Sequence, residues 1–293
     1  MRALARRGHQ SVTFARHASI SGLPGDLVDG DVRNREALMA AASGTDALCH
    51  TAALVSVWRP RRAEFDEINV GGLQNAIDVC RALRMRRLVY TSSFLARPPA
   101  DARQALDAND YQRTKARARQ VALAAARDGV PVVVLYPGVI YGTGPATEGN
   151  LVGRMIRDHL AGALPGLVGP DRVWSYAGVE GVADAHVTAL ERGEPGAEYL
   201  LGGENAPQMR IFEIVRRVTG APLPRRIPDA VAYVAALVEE AGARLFRRPP
   251  RLTRGIVQIL RHDWSMDSAR SVAELAYRVT PLDAGIEALL AAR

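Results

Sequence analysis

Short apolar runs alternate with helix-like stretches through the first half of this chain, and this alternation restricts the possible folds most strongly. The run at 130–136 reads Val-Pro-Val-Val-Val-Leu-Tyr and has no polar face. Such a strand is typical of a parallel sheet that is covered on both sides. The sequence therefore predicts a doubly wound α/β domain. We predict strands at 11–14, 26–28, 46–50, 87–91 and 130–136, and helices at 33–42, 64–84 and 110–128.

The second half of the chain has a different pattern. Glycine and proline cluster at 138–149 and 162–169, a last strand-like run occupies 198–201, and helix-like segments follow, notably at 229–245. We interpret these segments as a smaller C-terminal cap that binds substrate beside the sheet. A membrane-surface role for 229–248 is the alternative, and we favour the cap helix. The predicted boundaries are 1–145 and 176–202 for the sheet domain, and 146–175 and 203–293 for the cap.

Composition excludes several classes of protein. The 293 residues carry a net charge of +7, but the basic residues are scattered and aromatic residues make up only 5%. This pattern predicts a solvated basic surface and no nucleic-acid partner. No apolar run reaches the roughly 18 residues of a membrane span, and the N-terminus has no signal-peptide core. Two cysteines and six scattered histidines predict neither a disulfide framework nor a metal site, so we expect a cytoplasmic protein.

One lysine stands out. Of 38 basic residues, only Lys115 is a lysine, and it lies four residues after Tyr111 in a predicted helix. The two side chains therefore share one helix face. An ammonium group favours the phenolate, so we expect Lys115 to lower the pKa of Tyr111 from its usual value of about 10. Upstream, Ser92 and Ser93 follow a predicted strand, where a hydroxyl could hold a substrate oxygen during proton transfer.

At these residues the chain resembles the extended short-chain dehydrogenases/reductases, and within them the dihydroflavonol reductases, 3β-hydroxysteroid dehydrogenases and NAD-dependent epimerases/dehydratases. The resemblance covers nearly the whole chain, including the segments at 50–53, 69–72, 137–140 and 267–282. It implies a Rossmann-like fold and hydride transfer to or from a nicotinamide cofactor. By this resemblance Tyr111 donates or accepts the proton, Lys115 binds the nicotinamide ribose, and Ser93 holds the substrate oxygen.

The resemblance also implies the remaining site residues. The expected cofactor-binding residues are Arg16, Asp31, Val32, Thr51, Ala52, Ala53, Asn69, Thr91, Ser92, Tyr111, Lys115, Pro137, Gly138, Val139 and Ile140. The expected substrate-binding residues are Val57, Trp58, Ser93 and Phe94. The family's second strand ends in an acid for NAD or a base for NADP. Because Arg16 is a base, we expect NADP(H) to be weakly preferred over NAD(H). Asp31 or Asn34 would begin the next helix, and the Asp31 cap is compatible with adenine contact.

The start of the chain departs from the family pattern. The family opens with a strand and a Gly-x-x-Gly-x-x-Gly turn that binds the pyrophosphate, whereas residues 1–9 resemble the end of the helix that follows this turn. The missing strand would lie in the middle of the sheet, so we expect a gap or two open edges. Either Met1 is an internal methionine of a longer product, or the chain is as written and binds cofactor poorly. We favour the first explanation.

Three functions remain open. An apolar loop at 54–58 and an apolar cap segment at 227–238 favour reduction of a lipophilic ketone, or oxidation of the matching secondary alcohol. The second candidate is a nucleotide-sugar epimerase or dehydratase with bound NAD, for which Arg210 and Arg254 are possible diphosphate ligands. The third is a non-catalytic binding protein on a degenerate fold. The resemblance further implies a homodimer formed through the helices at 64–84 and 110–128.

Overall fold

The computed structural model describes residues 1–143 and 149–292, so the predicted boundary at residues 145–146 lies outside the described part. The strands are β1 (Val12–Ala15), β2 (Asp26–Asp29), β3 (Ala47–His50), β4 (Arg87–Thr91), β5 (Val132–Pro137), β6 (Val139–Tyr141), β7 (Leu167–Val168), β8 (Val173–Gly178), β9 (Glu198–Leu201), β10 (Glu204–Pro207) and β11 (Arg226–Ile227). The α-helices are α1 (Arg2–Arg6), α2 (Arg35–Ala42), α3 (Ala63–Asp66), α4 (Gly72–Ala82), α5 (Asp110–Arg127), α6 (Leu151–Leu160), α7 (Val179–Arg192), α8 (Gln208–Thr219), α9 (Asp229–Phe246), α10 (Arg254–Leu260), α11 (Ala269–Leu275) and α12 (Leu282–Ala291).

A parallel sheet in the order β3-β4-β5-β9 forms the centre of the fold. Successive side chains of a strand point to opposite faces of the sheet, so a strand that is apolar throughout is buried on both faces. Leu88 and Val134 pack on the side that carries α2, α4 and α5. Val89 and Val133 pack on the other side, which carries α7 and α11. The predicted doubly wound α/β fold is confirmed.

The sheet is interrupted where the sequence predicts a missing strand. β1 pairs with β2 in a separate parallel sheet, and in the described chain neither strand pairs with β3. The expected gap is therefore confirmed. Helix α1 packs on α7 through ion pairs from Arg6 to Asp184 and from Arg7 to Glu191. Residues 1–9 thus contain a short helix, where their likeness to the family predicts helical structure.

The helix predicted at 64–84 is present, but its middle is a π-helical turn and not α-helix. It consists of α3, a π-helical turn at Glu67–Gly71, and α4. The wide turn carries Asn69, which is 1% exposed and points into the protein. Gly72 begins α4 where a Cβ atom would lie 2.8 Å from Val32 Cγ2. The hydrogen bonds of Asn69 and the close approach of Gly72 are tertiary contacts, so the spacing of apolar residues in the sequence does not reveal the π-helical turn.

The second half of the chain builds its own core beside the sheet. β6, β8 and β10 form a three-stranded sheet, and β7 pairs with β11. Trp174, Phe212 and Ile286 belong to a core that joins this sheet to α6, α8 and α12. The helix predicted at 229–245 is present as α9, and it packs on α10 through Ala232, Ala236 and Val257. These elements lie beside the central sheet, and their assignment as a substrate-binding cap stays a prediction.

Candidate active site

The N-terminal end of α5 meets the C-terminal end of β4. Asn109 caps α5, because its side chain accepts a hydrogen bond from the Gln112 backbone N–H at 2.9 Å. The cap fixes the first turn, which carries Tyr111, and Lys115 follows one turn later on the same face. Lys115 Nζ donates a hydrogen bond to the Thr91 carbonyl at 3.0 Å. The structure thus brings the predicted tyrosine–lysine pair to the end of a central strand.

Lys115 is buried without an opposite charge. Its side chain is 2% exposed, and Nζ lies 5.3 Å from the centre of the Tyr90 ring. No carboxylate among the described residues forms an ion pair with it. Burial therefore lowers the pKa of Lys115 to about 7. Burial, together with the nearby Lys115 charge, also lowers the pKa of His50 to about 3, so this histidine is neutral.

Tyr111 and Ser93 lie next to each other. Ser93 begins a short 3-10 turn, and its Oγ accepts a hydrogen bond from the Leu95 backbone N–H at 3.2 Å. Burial raises the pKa of Tyr111, and a hydrogen bond with the Ser93 hydroxyl opposes this rise only in part. The expected lowering by Lys115 is not seen, because its ammonium points to the Thr91 carbonyl. A hydroxyl pair beside a buried amine can bind and protonate a carbonyl oxygen.

Asn69 joins the loop after β3 to the candidate catalytic helix. Its Oδ1 accepts from the Leu54 backbone N–H at 2.7 Å, and its Nδ2 donates to Thr114 Oγ1 at 2.9 Å. Thr114 belongs to the first turns of α5. Both polar atoms of the Asn69 side chain are engaged in these hydrogen bonds. Asn69 therefore acts on the site by positioning this loop. The same loop carries Thr51, Ala52, Ala53, Val57 and Trp58, of which Thr51 and Val57 are exposed and the others half-buried.

Residues predicted for the adenine end lie at the ends of β1 and β2. Asp31 is held by Arg33, whose Nε and Nη2 donate to it at 3.0 and 2.7 Å. These contacts, with the nearby Arg16 charge, lower the pKa of Asp31. Arg16 itself is exposed. Of the two predicted caps, Asn34 is the one that begins α2, because its side chain accepts from the Ala37 N–H.

The segment from Pro137 to Ile140 joins β5 to β6. Gly138 donates its backbone N–H to the Leu201 carbonyl at 3.0 Å. A Cβ atom at Gly138 would lie 2.5 Å from the Ser175 carbonyl oxygen, so the two backbones approach too closely for any side chain. Val139 is buried and Ile140 half-buried. The close approach fixes where this segment leaves the central sheet.

Phe94 lies in the aromatic core of the cap. Its ring centre is 6.0 Å from that of Trp174 and 5.4 Å from that of Trp264. Ser93 immediately precedes it, so the candidate catalytic hydroxyl stands at the edge of an aromatic cluster. Sequence reasoning did not find this cluster, because the three rings come from distant segments.

A second residue that the sequence did not indicate is His186 on α7. Its Nε2 lies 2.8 Å from Thr91 Oγ1, and its Nδ1 lies 2.7 Å from the Val182 carbonyl. Burial lowers the pKa of His186, so it is neutral. Thr91 is thus held by Lys115 at its carbonyl and by His186 at its hydroxyl. No spacing in the sequence relates these residues.

Known proteins share this architecture. Residues 1–202 match the NAD dependent epimerase/dehydratase family. The chain belongs to this family. It is therefore a member of the extended short-chain dehydrogenases/reductases, as its motifs predict. Among the described residues, no helix is long and apolar enough to cross a membrane.

Two curated relatives and one solved structure illustrate the family. The chain is 31% identical over 291 residues to the sterol demethylase protein B of Methylococcus capsulatus, covering 94% of this chain and 88% of that one. It is 29% identical over 293 residues to the 2-alkyl-3-oxoalkanoate reductase of Stenotrophomonas maltophilia, covering 92% and 88% of the two chains. The solved structure of gox2253 matches with a TM-score of 0.80 at 27% identity, and the match covers 99% of this chain and 92% of that one.

The residues present fit one end of the family's cofactor. Lys115 is a buried amine without a carboxylate, and His50 Nε2 and Ser92 Oγ are buried atoms with no hydrogen-bond partner among the described residues. Donors of this kind suit the hydroxyl groups of a nicotinamide ribose. Among the described residues, no glycine-rich turn precedes α1.

Proposed function

We propose that this family member is an NAD(P)(H)-dependent oxidoreductase that interconverts a lipophilic ketone and its secondary alcohol. The observation that carries the proposal is the meeting of Ser93, Tyr111 and Lys115 at the end of β4. A hydroxyl that holds oxygen, a phenol that moves a proton and a buried amine together form an acid–base set. The relatives named as a sterol demethylase protein and an oxoalkanoate reductase support this choice.

The bound nicotinamide supplies or accepts the hydride. In the reducing direction, Ser93 donates a hydrogen bond to the carbonyl oxygen, and Tyr111 gives its proton to that oxygen as the C–H bond forms. The raised pKa of Tyr111 keeps it protonated before the reaction, as an acid must be. Lys115 follows Tyr111 by one turn on the same face of α5 and would bind the hydroxyl groups of the nicotinamide ribose. In the oxidising direction the same groups act in reverse.

The cap favours an apolar substrate over a nucleotide sugar. Phe94, beside Ser93, belongs to an aromatic cluster, which suits a hydrocarbon body. Arg210 is paired with Asp283 at 2.8 Å, and Arg254 with Glu240 at 2.9 Å. Both candidate diphosphate ligands are therefore already neutralised by carboxylates. The cap thus supplies the apolar wall of the substrate site, together with Val57 and Trp58 of the loop after β3.

The weak preference for NADP(H) remains part of this proposal. Arg16 is exposed after β1, whereas Arg33 already binds the Asp31 carboxylate that could otherwise hold ribose hydroxyls. An extra phosphate on the ribose would meet positive charge here. Arg16→Ala should therefore weaken NADPH binding more than NADH binding in a fluorescence titration. Equal losses for the two cofactors would contradict the assignment.

Steady-state oxidation of NADPH and NADH with a series of alkyl ketones tests the proposed function. We expect the rate to rise with chain length, and Tyr111→Phe to lower kcat by about 10²- to 10⁴-fold. Tyr277→Phe serves as the control, because Tyr277 is buried in the core beside α7 and α11 and its hydroxyl has no hydrogen-bond partner among the described residues. Turnover of a nucleotide sugar without net cofactor consumption would favour an epimerase. Cofactor binding with no turnover of any substrate would favour a non-catalytic protein.

A further inference from the structure

The outward face of α9 carries large apolar side chains near both ends of the helix. Large apolar side chains line it where a cap helix would ordinarily carry polar groups: Val231, Val234, Leu237, Val238, Leu245 and Phe246 are all exposed. Val238 and Leu245 are 68% and 76% exposed. Isolated exposed apolar residues are common on protein surfaces, but several large ones on a single helix mark an interaction surface. These side chains are the apolar strip of α9.

The acidic residues of α9 lie away from this strip. Asp229 pairs with Arg261 at 2.8 Å, and Glu240 pairs with Arg254 at 2.9 Å. Glu239 accepts a hydrogen bond from the Arg251 backbone N–H at 3.2 Å. Each carboxylate is thus bound by the segment that leads into and through α10. Two of the three carboxylates of α9 are neutralised by arginines, and the third is turned toward the segment before α10.

Positive charge gathers where the strip ends. Arg247 and Arg248 follow α9 directly, Arg251 comes three residues later, and all three are exposed. Arg247 has a positive φ of 52°, so the chain turns sharply here and the arginines lie at the end of the helix. An apolar strip with a basic end is complementary to hydrocarbon bordered by negative charge.

We propose that α9 binds the chain to the surface of an anionic lipid bilayer. The helix lies parallel to the membrane plane, its apolar strip enters the headgroup boundary, and Arg247 and Arg248 contact the acidic headgroups. No described helix is suited to crossing a membrane, so this attachment is peripheral. α10 packs on α9, and its Gly255 would place a Cβ atom 2.0 Å from the Ala108 carbonyl, just before α5. The α9–α10 pair, whose outward face binds the membrane, therefore contacts the residues directly before the candidate catalytic helix α5.

Vesicle flotation of the full chain tests the proposal. One vesicle type contains phosphatidylcholine alone, and the other contains phosphatidylcholine with about one-third phosphatidylglycerol, both in about 0.1 M salt. The double variant Val234→Gln/Val238→Gln removes part of the strip. The control Val218→Gln/Val272→Gln changes valines that are 48% and 47% exposed on α8 and α11. All of these positions are on the surface, so the variants should fold, as circular dichroism would show.

We expect the chain to float with the anionic vesicles and only weakly with the neutral ones. The strip variant should lower the partition coefficient at least tenfold, and the control should leave it unchanged. A separate Arg247→Gln/Arg248→Gln variant should lower it about 25-fold on anionic vesicles, about fivefold per arginine, and much less on neutral ones. Sedimentation velocity is run in parallel on the wild type and the strip variant.

Three results would overturn the proposal. The first is absence of flotation with anionic vesicles. The second is flotation that the strip variant and the control variant reduce equally. The third is a wild-type oligomer that the strip variant dissociates in the absence of vesicle binding, which would assign the strip to a second copy of the chain. None of these readouts depends on turnover, so failure here is distinguishable from failure of the proposed function.

Discussion

Lys115 should destabilise the folded chain at neutral pH. Burial without a carboxylate lowers its pKa from the ordinary 10.5 to about 7, while the unfolded chain keeps the ordinary value. Between these two values the unfolded chain holds a proton that the folded chain has released. Folding stability therefore rises with pH across the window from 7 to 10.5. Lys115→Met removes this titration and keeps the length of the side chain.

The size of the effect follows from the two pKa values. Each unit of difference is worth about 1.4 kcal/mol, so the penalty is about 4 kcal/mol at pH 7 and about 2 kcal/mol at pH 9. Lys115→Met should therefore stabilise the protein at pH 7, and its advantage over the wild type should shrink by about 2 kcal/mol at pH 9. Burial raises the pKa of Cys49 to about 12, which has the opposite pH dependence. The contribution of Cys49 to the free energy of unfolding is the same in the wild type and in Lys115→Met, so it cancels when the two proteins are compared.

Urea unfolding followed by tryptophan fluorescence at pH 7, 8 and 9 measures this difference. Arg127→Met is the control, because Arg127 is exposed in the last turn of the same helix. It should keep the pH dependence of the wild type. Parallel curves for the wild type and Lys115→Met would refute the assignment of a lowered pKa to Lys115. They would mean that the ammonium is solvated or paired in solution.

Two further predictions concern the scaffold of the site. Asn69→Ala should lower the free energy of unfolding by about 2–3 kcal/mol, because it leaves the Leu54 N–H and Thr114 Oγ1 without their short hydrogen bonds. Thermal and urea unfolding measure this loss, and a change below about 0.5 kcal/mol would show that water replaces the amide. Gly138→Ala should cost about 1–3 kcal/mol, because its Cβ would lie 2.5 Å from the Ser175 carbonyl oxygen. An unchanged melting temperature would contradict this close approach.

The central strands and the tyrosine–lysine pair could be predicted because they depend on local patterns. β5 is buried on both faces, and such a strand needs an unbroken apolar run, which the sequence shows directly. Tyr111 and Lys115 share a helix face by spacing alone. The π-helical turn at Asn69 could not be predicted, since Asn69 bonds to Leu54 and Thr114, which are distant in the sequence.

The electrostatics of the site also needed the structure. Sequence spacing predicts that Lys115 acts on Tyr111, but it does not show that the ammonium is turned to the Thr91 carbonyl or that burial dominates both pKa values. The outward orientation of the large apolar side chains of α9 also could not be predicted from the sequence. The apolar positions of this helix are compatible with a cap helix, and only the packing shows that the small alanines Ala232 and Ala236 face inward while the larger side chains face outward.

Deuterium transfer tests the central claim most directly. The chain is incubated with an alkyl ketone and NADPH that carries deuterium at the transferable position of the nicotinamide, and the product alcohol is analysed by mass spectrometry. We expect deuterium on the carbinol carbon with the wild type. Tyr111→Phe should transfer it at least a hundredfold more slowly, and NADPH should still bind this variant. Absence of transfer with every ketone despite tight cofactor binding, or normal transfer by Tyr111→Phe, would contradict this claim.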